Sequence, residues 1–85
     1  MQNKTPKVIE IDPQDAEAWS NKGNALSKLG KPEQALEAYG KAIEINPQYA
    51  KAWYNKGNAL SKLGKPEQAL EAYGKAIEIN PQYAK

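Results

Sequence analysis

Carboxylates, lysines and a few serines are the side chains of this 85-residue chain that could do chemistry. Acid–base catalysis by carboxylates needs burial or crowding that drives their pKa values apart. Here the carboxylates stand at predicted helix starts or on outward faces beside lysine, as Glu37 does four residues before Lys41. The hydroxyls of Ser27 and Ser61 have no histidine to activate them, because the chain contains none. The pattern therefore predicts no catalytic residue and no enzymatic activity.

The residue types that are missing exclude further functions. Without Cys or His the chain has no disulfide, no thiolate and no imidazole ligand, so we expect no metal site and no cofactor. The formal net charge is +2 and every basic residue is Lys, which predicts no nucleic-acid binding. No apolar run approaches the ~20 residues that span a bilayer, and the N-terminus lacks the apolar stretch of a signal peptide. We expect no membrane association and, for a natural protein, a cytoplasmic location.

The sequence repeats itself with a period of 34 residues. Residues 16–49 and 50–83 are almost identical, and the segment before them matches the end of one unit. The predicted organisation is a truncated tail of a preceding repeat (1–15), repeat 1 (16–49), repeat 2 (50–83) and the start of an absent third repeat (84–85).

Each repeat predicts two helices with recognisable ends. Asp15 is a suitable N-cap for the first helix, and Gly30 can end it in the left-handed conformation. Pro32 suits the first position of the second helix, and Asn46 ends that helix because a proline follows it. The predicted helices cover residues 15–29, 32–45, 49–63 and 66–79, with a short helical turn near residues 6–12 and no strand.

Small residues on these helices predict close packing within each hairpin. Gly23 and Ala35 fall on facing stripes of the two helices, and glycine inside a helix costs ~1 kcal/mol relative to alanine. We therefore expect the helices to approach most closely at Gly23 and Ala35, with Trp19 and Tyr39 filling the wider gaps. One hairpin cannot bury its apolar faces alone, so the hairpins must stack. The predicted fold class is all-α, built of tandem antiparallel helical hairpins.

This pattern resembles the tetratricopeptide repeat family, and the likeness covers nearly the whole chain. Lys22 and Lys56 depart from it, because the family usually has an apolar residue there; a lysine stem can lie on apolar surface while its charge stays in water. A related 35-residue RNA-reading repeat fits the period less well. The matching residues are Trp19, Gly23, Leu26, Ala35, Tyr39, Ala42 and Pro47, and again Trp53, Gly57, Leu60, Ala69, Tyr73, Ala76 and Pro81.

The resemblance implies a concave groove that holds extended peptides or partner helices, lined by the first helix of each hairpin. Asparagine amides can pair with a peptide backbone, and lysines can meet a carboxylate. One branch of the family clamps the C-terminal carboxylate of chaperone tails; Asn24 and Asn55 match two of its asparagines, but Ser20 stands where it has a lysine. The alternative is a polar lining without a dedicated ligand. The implied lining is Glu17, Ser20, Asn21, Asn24, Ser27, Lys28, Lys51, Tyr54, Asn55, Asn58, Ser61 and Lys62.

The two units differ only where Glu17 becomes Lys51 and Ser20 becomes Tyr54. A groove selected for one peptide usually diverges between repeats, so near-identity favours recent duplication or an engineered, trimmed array. We expect any binding to a chaperone-type acidic tail to be no tighter than roughly micromolar.

Such arrays normally end with a solvating helix, and the sequence predicts none after residues 66–79. The last predicted helix is therefore expected to expose an apolar face. Leu70, Tyr73 and Ile77 are the expected centre of this face. We expect a homo-oligomer, with a two-fold dimer favoured over head-to-tail stacking. Two functions remain: a non-catalytic interaction scaffold that self-associates, or a peptide-binding module of a larger receptor or co-chaperone-like protein.

Overall fold

The computed structural model describes residues 14–83, which form helices and turns without a strand. The predicted all-α class of tandem hairpins is confirmed, and within this part of the chain each predicted helix end lies within one residue of the observed end. The predicted turn near residues 6–12 lies outside the described residues. The elements are α1 (Ala16–Lys28), α2 (Pro32–Ile45), α3 (Ala50–Lys62), α4 (Pro66–Ile79) and a 3-10 turn (Pro81–Tyr83).

The helices begin and end where local chemistry predicts. The Asp15 side chain accepts hydrogen bonds from the backbone N–H groups of Glu17 at 3.0 Å and Ala18 at 3.3 Å, which satisfies donors that the first turn leaves unpaired. Gly30 and Gly64, just after α1 and α3, take φ values of +77° and +75°. This left-handed conformation favours glycine. Proline occupies the start of both α2 and α4.

Within each hairpin a tyrosine ring lies against a glycine of the facing helix. A Cβ added to Gly23 would lie 2.5 Å from Cε1 of Tyr39, and one added to Gly57 would lie 2.5 Å from Cε1 of Tyr73. Carbon atoms in contact need about 3.5–4.0 Å, so only glycine lets the rings come this close. The predicted close approach at Gly23 is confirmed, but its nearest neighbour is the Tyr39 ring and not Ala35.

Leu36 of α2 joins the two hairpins through the core. The indole N–H of Trp53 adds a second link, because it donates to the carbonyl oxygen of Pro47 in the turn between the repeats, at 2.9 Å. The stacking that a single hairpin requires is therefore supplied by its neighbour. Leu36 packs against both buried clusters of the described chain, which are Ala35, Tyr39 and Ala59 in one and Leu60, Ala69 and Ala72 in the other.

The two lysines that depart from the repeat pattern each lie over a tryptophan. Lys22 Nζ is 5.0 Å from the centroid of the Trp19 ring, and Lys56 Nζ is 5.0 Å from that of Trp53. Both distances are within the range of a cation–π interaction. The lysines thus tolerate positions beside apolar surface because the aromatic face attracts the ammonium group.

Candidate functional site

Polar side chains of α1 and α3 line a groove with a volume of about 480 Å³. The contributing positions on each helix are three or four residues apart, so they share one helical face. Two tyrosines, one from α2 and one from α4, also belong to the lining. The lining residues are Asn24, Ser27, Lys28, Tyr39, Asn55, Asn58, Ser61, Lys62 and Tyr73.

Tyrosine hydroxyls orient two of the groove asparagines. The hydroxyl of Tyr39 donates to Oδ1 of Asn24 at 2.6 Å, and that of Tyr73 donates to Oδ1 of Asn58. Because each amide oxygen already accepts from tyrosine, the NH₂ group is the part of each amide that can donate to a ligand. Burial raises the pKa of both tyrosines above the usual 10.0, so the hydroxyls stay protonated donors at neutral pH.

Lysines give the groove a positive character. Lys28 and Lys62 belong to the lining, and no carboxylate of residues 14–83 does. Lys62 Nζ of α3 lies 3.4 Å from Ser27 Oγ of α1 and so spans the groove between the two hairpins. The groove therefore presents hydrogen-bond donors and positive charge, an arrangement suited to hold carbonyl and carboxylate oxygens.

Part of the lining predicted from the sequence comes together in this groove. Asn24 and Lys28 lie on α1, and Asn55, Asn58 and Lys62 lie on α3. The serines named with them also belong to the lining. These positions recur at the same places in α1 and α3, the first helices of the two hairpins, which is why the sequence could place them together.

The other predicted groove residues lie elsewhere. Ser20 is 1% exposed, and its hydroxyl has no hydrogen-bond partner among residues 14–83. It therefore does not line the open groove. The ring of Tyr54 packs against those of Tyr73 and Tyr83, with centroid distances of 5.6 and 5.1 Å. The remaining three, exposed outside the lining, are Glu17, Asn21 and Lys51.

Sequence reasoning missed the tyrosine hydroxyls of the groove. The apolar stripe predicts that Tyr39 fills a gap within its hairpin and that Tyr73 lies on the exposed face of the last helix, and it gives their hydroxyls no role. The available signal was the asparagine 15 residues before each tyrosine, at positions 24 and 58. A buried tyrosine usually finds a partner for its hydroxyl.

The outer face of α4 carries the residues predicted to self-associate, but they are not equally exposed. Leu70 is 70% exposed and Ile77 is 37% exposed. Tyr73 is half-buried, because its ring lies against Gly57 and its hydroxyl bonds to Asn58. Leu70 and Ile77 thus form the open part of this face, with Tyr73 at its edge.

The described part of the chain has neither a candidate metal-binding group nor a candidate membrane-spanning helix. Between residues 14 and 83 there is no group of three or more His, Cys, Asp or Glu side chains that could hold a metal ion. None of the described helices is long and apolar enough to cross a membrane.

Two stacked helical hairpins with a polar groove along their first helices define an α-helical repeat protein. The model of the family described as "Tetratricopeptide repeat" matches residues 16–49 and 50–83. The chain belongs to the tetratricopeptide repeat (TPR) family, and its repeats form a protein–protein interaction module. No curated protein matches the sequence.

Solved structures with the same fold include three informative ones. The crystal structure of MamA has a TM-score of 0.80 and 36% identity over 82% of this chain and 41% of that chain. The second TPR of Spaghetti (RPAP3), bound to the HSP90 peptide SRMEEVD, has a TM-score of 0.80 and 31% identity over 84% of this chain and 66% of that chain. YrrB, "a TPR protein with an unusual peptide-binding site", has a TM-score of 0.77 and 35% identity over 80% and 35%. The chain thus spans less than half of MamA and YrrB.

Proposed function

We propose that this chain is a non-catalytic interaction scaffold whose groove binds a short extended peptide that carries a carboxylate. The observation that carries the proposal is the groove lining, which combines Lys28 and Lys62 with amide donors and includes no carboxylate of the described residues. The Spaghetti domain holds the acidic peptide SRMEEVD, and this likeness supports the same class of ligand here.

The arrangement of donors suggests how the peptide would lie. The amide NH₂ groups of Asn24 and Asn58 are held in place by tyrosine hydroxyls, so they can donate to peptide carbonyl oxygens with little further loss of freedom. Lys28 and Lys62 would then meet a carboxylate as charge-assisted donors. Both lysines are exposed, and exposed ion pairs contribute only about 0.2–1 kcal/mol. We therefore expect a dissociation constant of about a micromolar or weaker.

Isothermal titration calorimetry with the peptide SRMEEVD tests this proposal. Lys62→Ala should weaken binding up to about fivefold, which corresponds to the upper end of an exposed ion pair. Lys51→Ala is the matched control, since Lys51 is an exposed lysine of the same helix outside the groove. Raising the salt concentration should weaken binding to the parent and have less effect on Lys62→Ala.

Three outcomes would contradict the peptide proposal. They are the absence of binding at millimolar peptide, an equal loss with Lys51→Ala and Lys62→Ala, and an unchanged affinity for a peptide whose carboxylates are all amidated. A nanomolar affinity lost on Asn55→Ala would instead show a dedicated receptor groove and contradict the expected weak binding.

A second candidate function is self-association through the outer face of α4, favoured by the exposure of Leu70. The corresponding Leu36 packs against both core clusters, whereas Leu70 remains 70% exposed. Burial of a leucine side chain stabilises by about 1.5–3 kcal/mol, so one such contact supports weak, concentration-dependent association. Near-identical repeats also fit a recently duplicated or engineered array, in which a face made for stacking recurs in every unit.

Light scattering on a size-exclusion column, run over a range of protein concentrations, tests self-association. The mass of the parent should rise with concentration, and Leu70→Lys with Ile77→Lys should keep it at the monomer value of 9.4 kDa. A parent that stays monomeric at every concentration would contradict this second function and leave the peptide proposal untouched.

A further inference from the structure

We propose that copies of this chain associate head to tail, with the α4 face around Leu70 of one copy docked on the α1 face around Ala25 and Leu29 of the next. The inference rests on the self-association proposed above. It replaces the two-fold dimer favoured from the sequence by head-to-tail stacking, the second geometry named there, and it identifies the residues of the α1 surface.

The α1 surface is recognised by comparing residues 34 positions apart. Ala59 of α3 is 1% exposed, whereas its counterpart Ala25 of α1 is exposed. Leu63 is half-buried, whereas its counterpart Leu29 is 69% exposed. The side chains are the same in both repeats, so only their neighbours differ. Among residues 14–83, the first hairpin therefore leaves open an apolar face whose counterpart on the second hairpin is covered.

The α4 surface shows the reverse difference. Leu36 of α2 is half-buried and its counterpart Leu70 is 70% exposed; Tyr39 is 2% exposed and its counterpart Tyr73 is half-buried. Tyr39 and Leu36 are covered where Ala59 of α3 joins their cluster. Within the described residues, the second hairpin thus leaves open the face of α4 that corresponds to the one α2 presents to α3.

The interface between α2 and α3 shows what fits these two open faces. The sequences of α2 and α4 are identical, and α1 differs from α3 only at positions 17 and 20. Glu17 is exposed, and Ser20 stands in place of a tyrosine. Apart from those two positions, residues of α4 in one copy and of α1 in another are the same chemical pair that already packs inside the chain. The covering partner of each open face is the other open face of a second copy.

This contact joins two different surfaces, so it is heterologous and does not close about a two-fold axis. Each added copy presents a fresh α4 face, and association continues beyond the dimer. The two-fold dimer favoured from the sequence pairs α4 with α4 and leaves the α1 face open. The two geometries therefore differ in which residues they need and in the mass they reach.

Two matched variants separate the geometries by light scattering. Leu70→Lys blocks the α4 face and Leu29→Lys blocks the α1 face, at positions of nearly equal exposure, 70% and 69%. Head-to-tail association predicts that each variant alone stays at 9.4 kDa, and that an equimolar mixture forms a complex of twice that mass, because each supplies the face that the other lacks. The parent should exceed twice the monomer mass at high concentration. Gln68→Lys adds the same charge at an exposed position of α4 and should behave like the parent.

Every other result overturns the head-to-tail contact or the self-association beneath it. If the parent stops at a dimer, Leu29→Lys stays dimeric and the mixture forms no complex, the contact is two-fold and only the head-to-tail geometry fails. If the parent is monomeric throughout, self-association fails as well. Circular dichroism of each variant checks that its helices are intact. Ala25→Glu is a second block of the α1 face, expected to behave like Leu29→Lys and to pair with Leu70→Lys.

Discussion

Replacing Gly23 by alanine tests whether the contact between tyrosine and glycine sets the spacing of each hairpin. The new Cβ would lie 2.5 Å from Cε1, 2.7 Å from Cδ1 and 2.9 Å from Cζ of Tyr39, about 1 Å closer than carbon atoms tolerate. The ring has little room to move, because it is 2% exposed and its hydroxyl bonds to Asn24 at 2.6 Å. Overpacking of this kind destabilises by about 1–3 kcal/mol.

The substitution also has a favourable effect that must be separated from the clash. Alanine is about 1 kcal/mol better than glycine inside a helix, so the net loss expected for Gly23→Ala is up to about 2 kcal/mol. Gly40→Ala is the matched control, since a Cβ built on Gly40 meets nothing within 4 Å in the described chain. Gly40→Ala should therefore stabilise by about 1 kcal/mol. The difference between the two variants isolates the clash, about 1–3 kcal/mol.

Thermal and urea denaturation, at concentrations where the chain is monomeric, measure both variants. For a domain of this size 1 kcal/mol moves Tm by about 4–8 °C, so the two variants should melt well apart. In a Tyr39→Leu background Gly23→Ala should lose its penalty, as a double-mutant cycle would register. If Gly23→Ala is as stabilising as Gly40→Ala, the ring does not limit the approach of the helices and the packing argument is wrong.

The remaining predictions concern pH, capping and the tryptophan–lysine contact. Burial raises the pKa of Tyr39 above 10.0, so its contribution to stability is complete below pH 10 and is lost as the pH rises through the higher folded pKa. Urea titrations between pH 8 and 11 should show this loss as a decrease in the free energy of unfolding. In Tyr39→Phe the decrease should be smaller. Asp15→Ala removes the side-chain cap of α1 and should lower the free energy of unfolding by about 0.5–2 kcal/mol. Urea denaturation measures this change, and an unchanged midpoint would show that the cap contributes nothing. Lys56→Leu loses a cation–π contact with Trp53 worth about 0.5–1 kcal/mol but gains apolar contact. Its melting temperature should therefore match or exceed that of the parent. A clear decrease would mean that the cation–π contact contributes more than the apolar contact.

Helix positions in this chain follow from local chemistry, and the sequence therefore determined them closely. Asp15 accepts from the first-turn N–H groups of α1, and Gly30 takes the left-handed φ that ends the helix region. Caps and proline act over a few residues, so their effect does not depend on distant packing. The repeat period then pairs the helices into hairpins, since an identical sequence folds into an identical unit.

The groove was predictable where helical periodicity alone decides which way a residue faces. Asn24 and Lys28 share a face of α1, as Asn58 and Lys62 share one of α3, and all four line the groove. Periodicity does not determine how a side chain is covered. Ser20 belongs to the same helix yet is 1% exposed, because burial depends on the groups that pack around it.

Only the tertiary structure decided which of two identical residues is buried and which is exposed. Leu36 and Leu70 occupy the same place in the repeat, but one packs into the core between the hairpins and the other is 70% exposed. Ala25 and Ala59 differ in the opposite sense, exposed in α1 and 1% exposed in α3. The sequence by itself determined the helices, their caps and the hairpin unit, because these depend on nearest neighbours along the chain. Which copy of an identical face is covered depends on its neighbour in space, and in a stacked array that neighbour differs at the two ends.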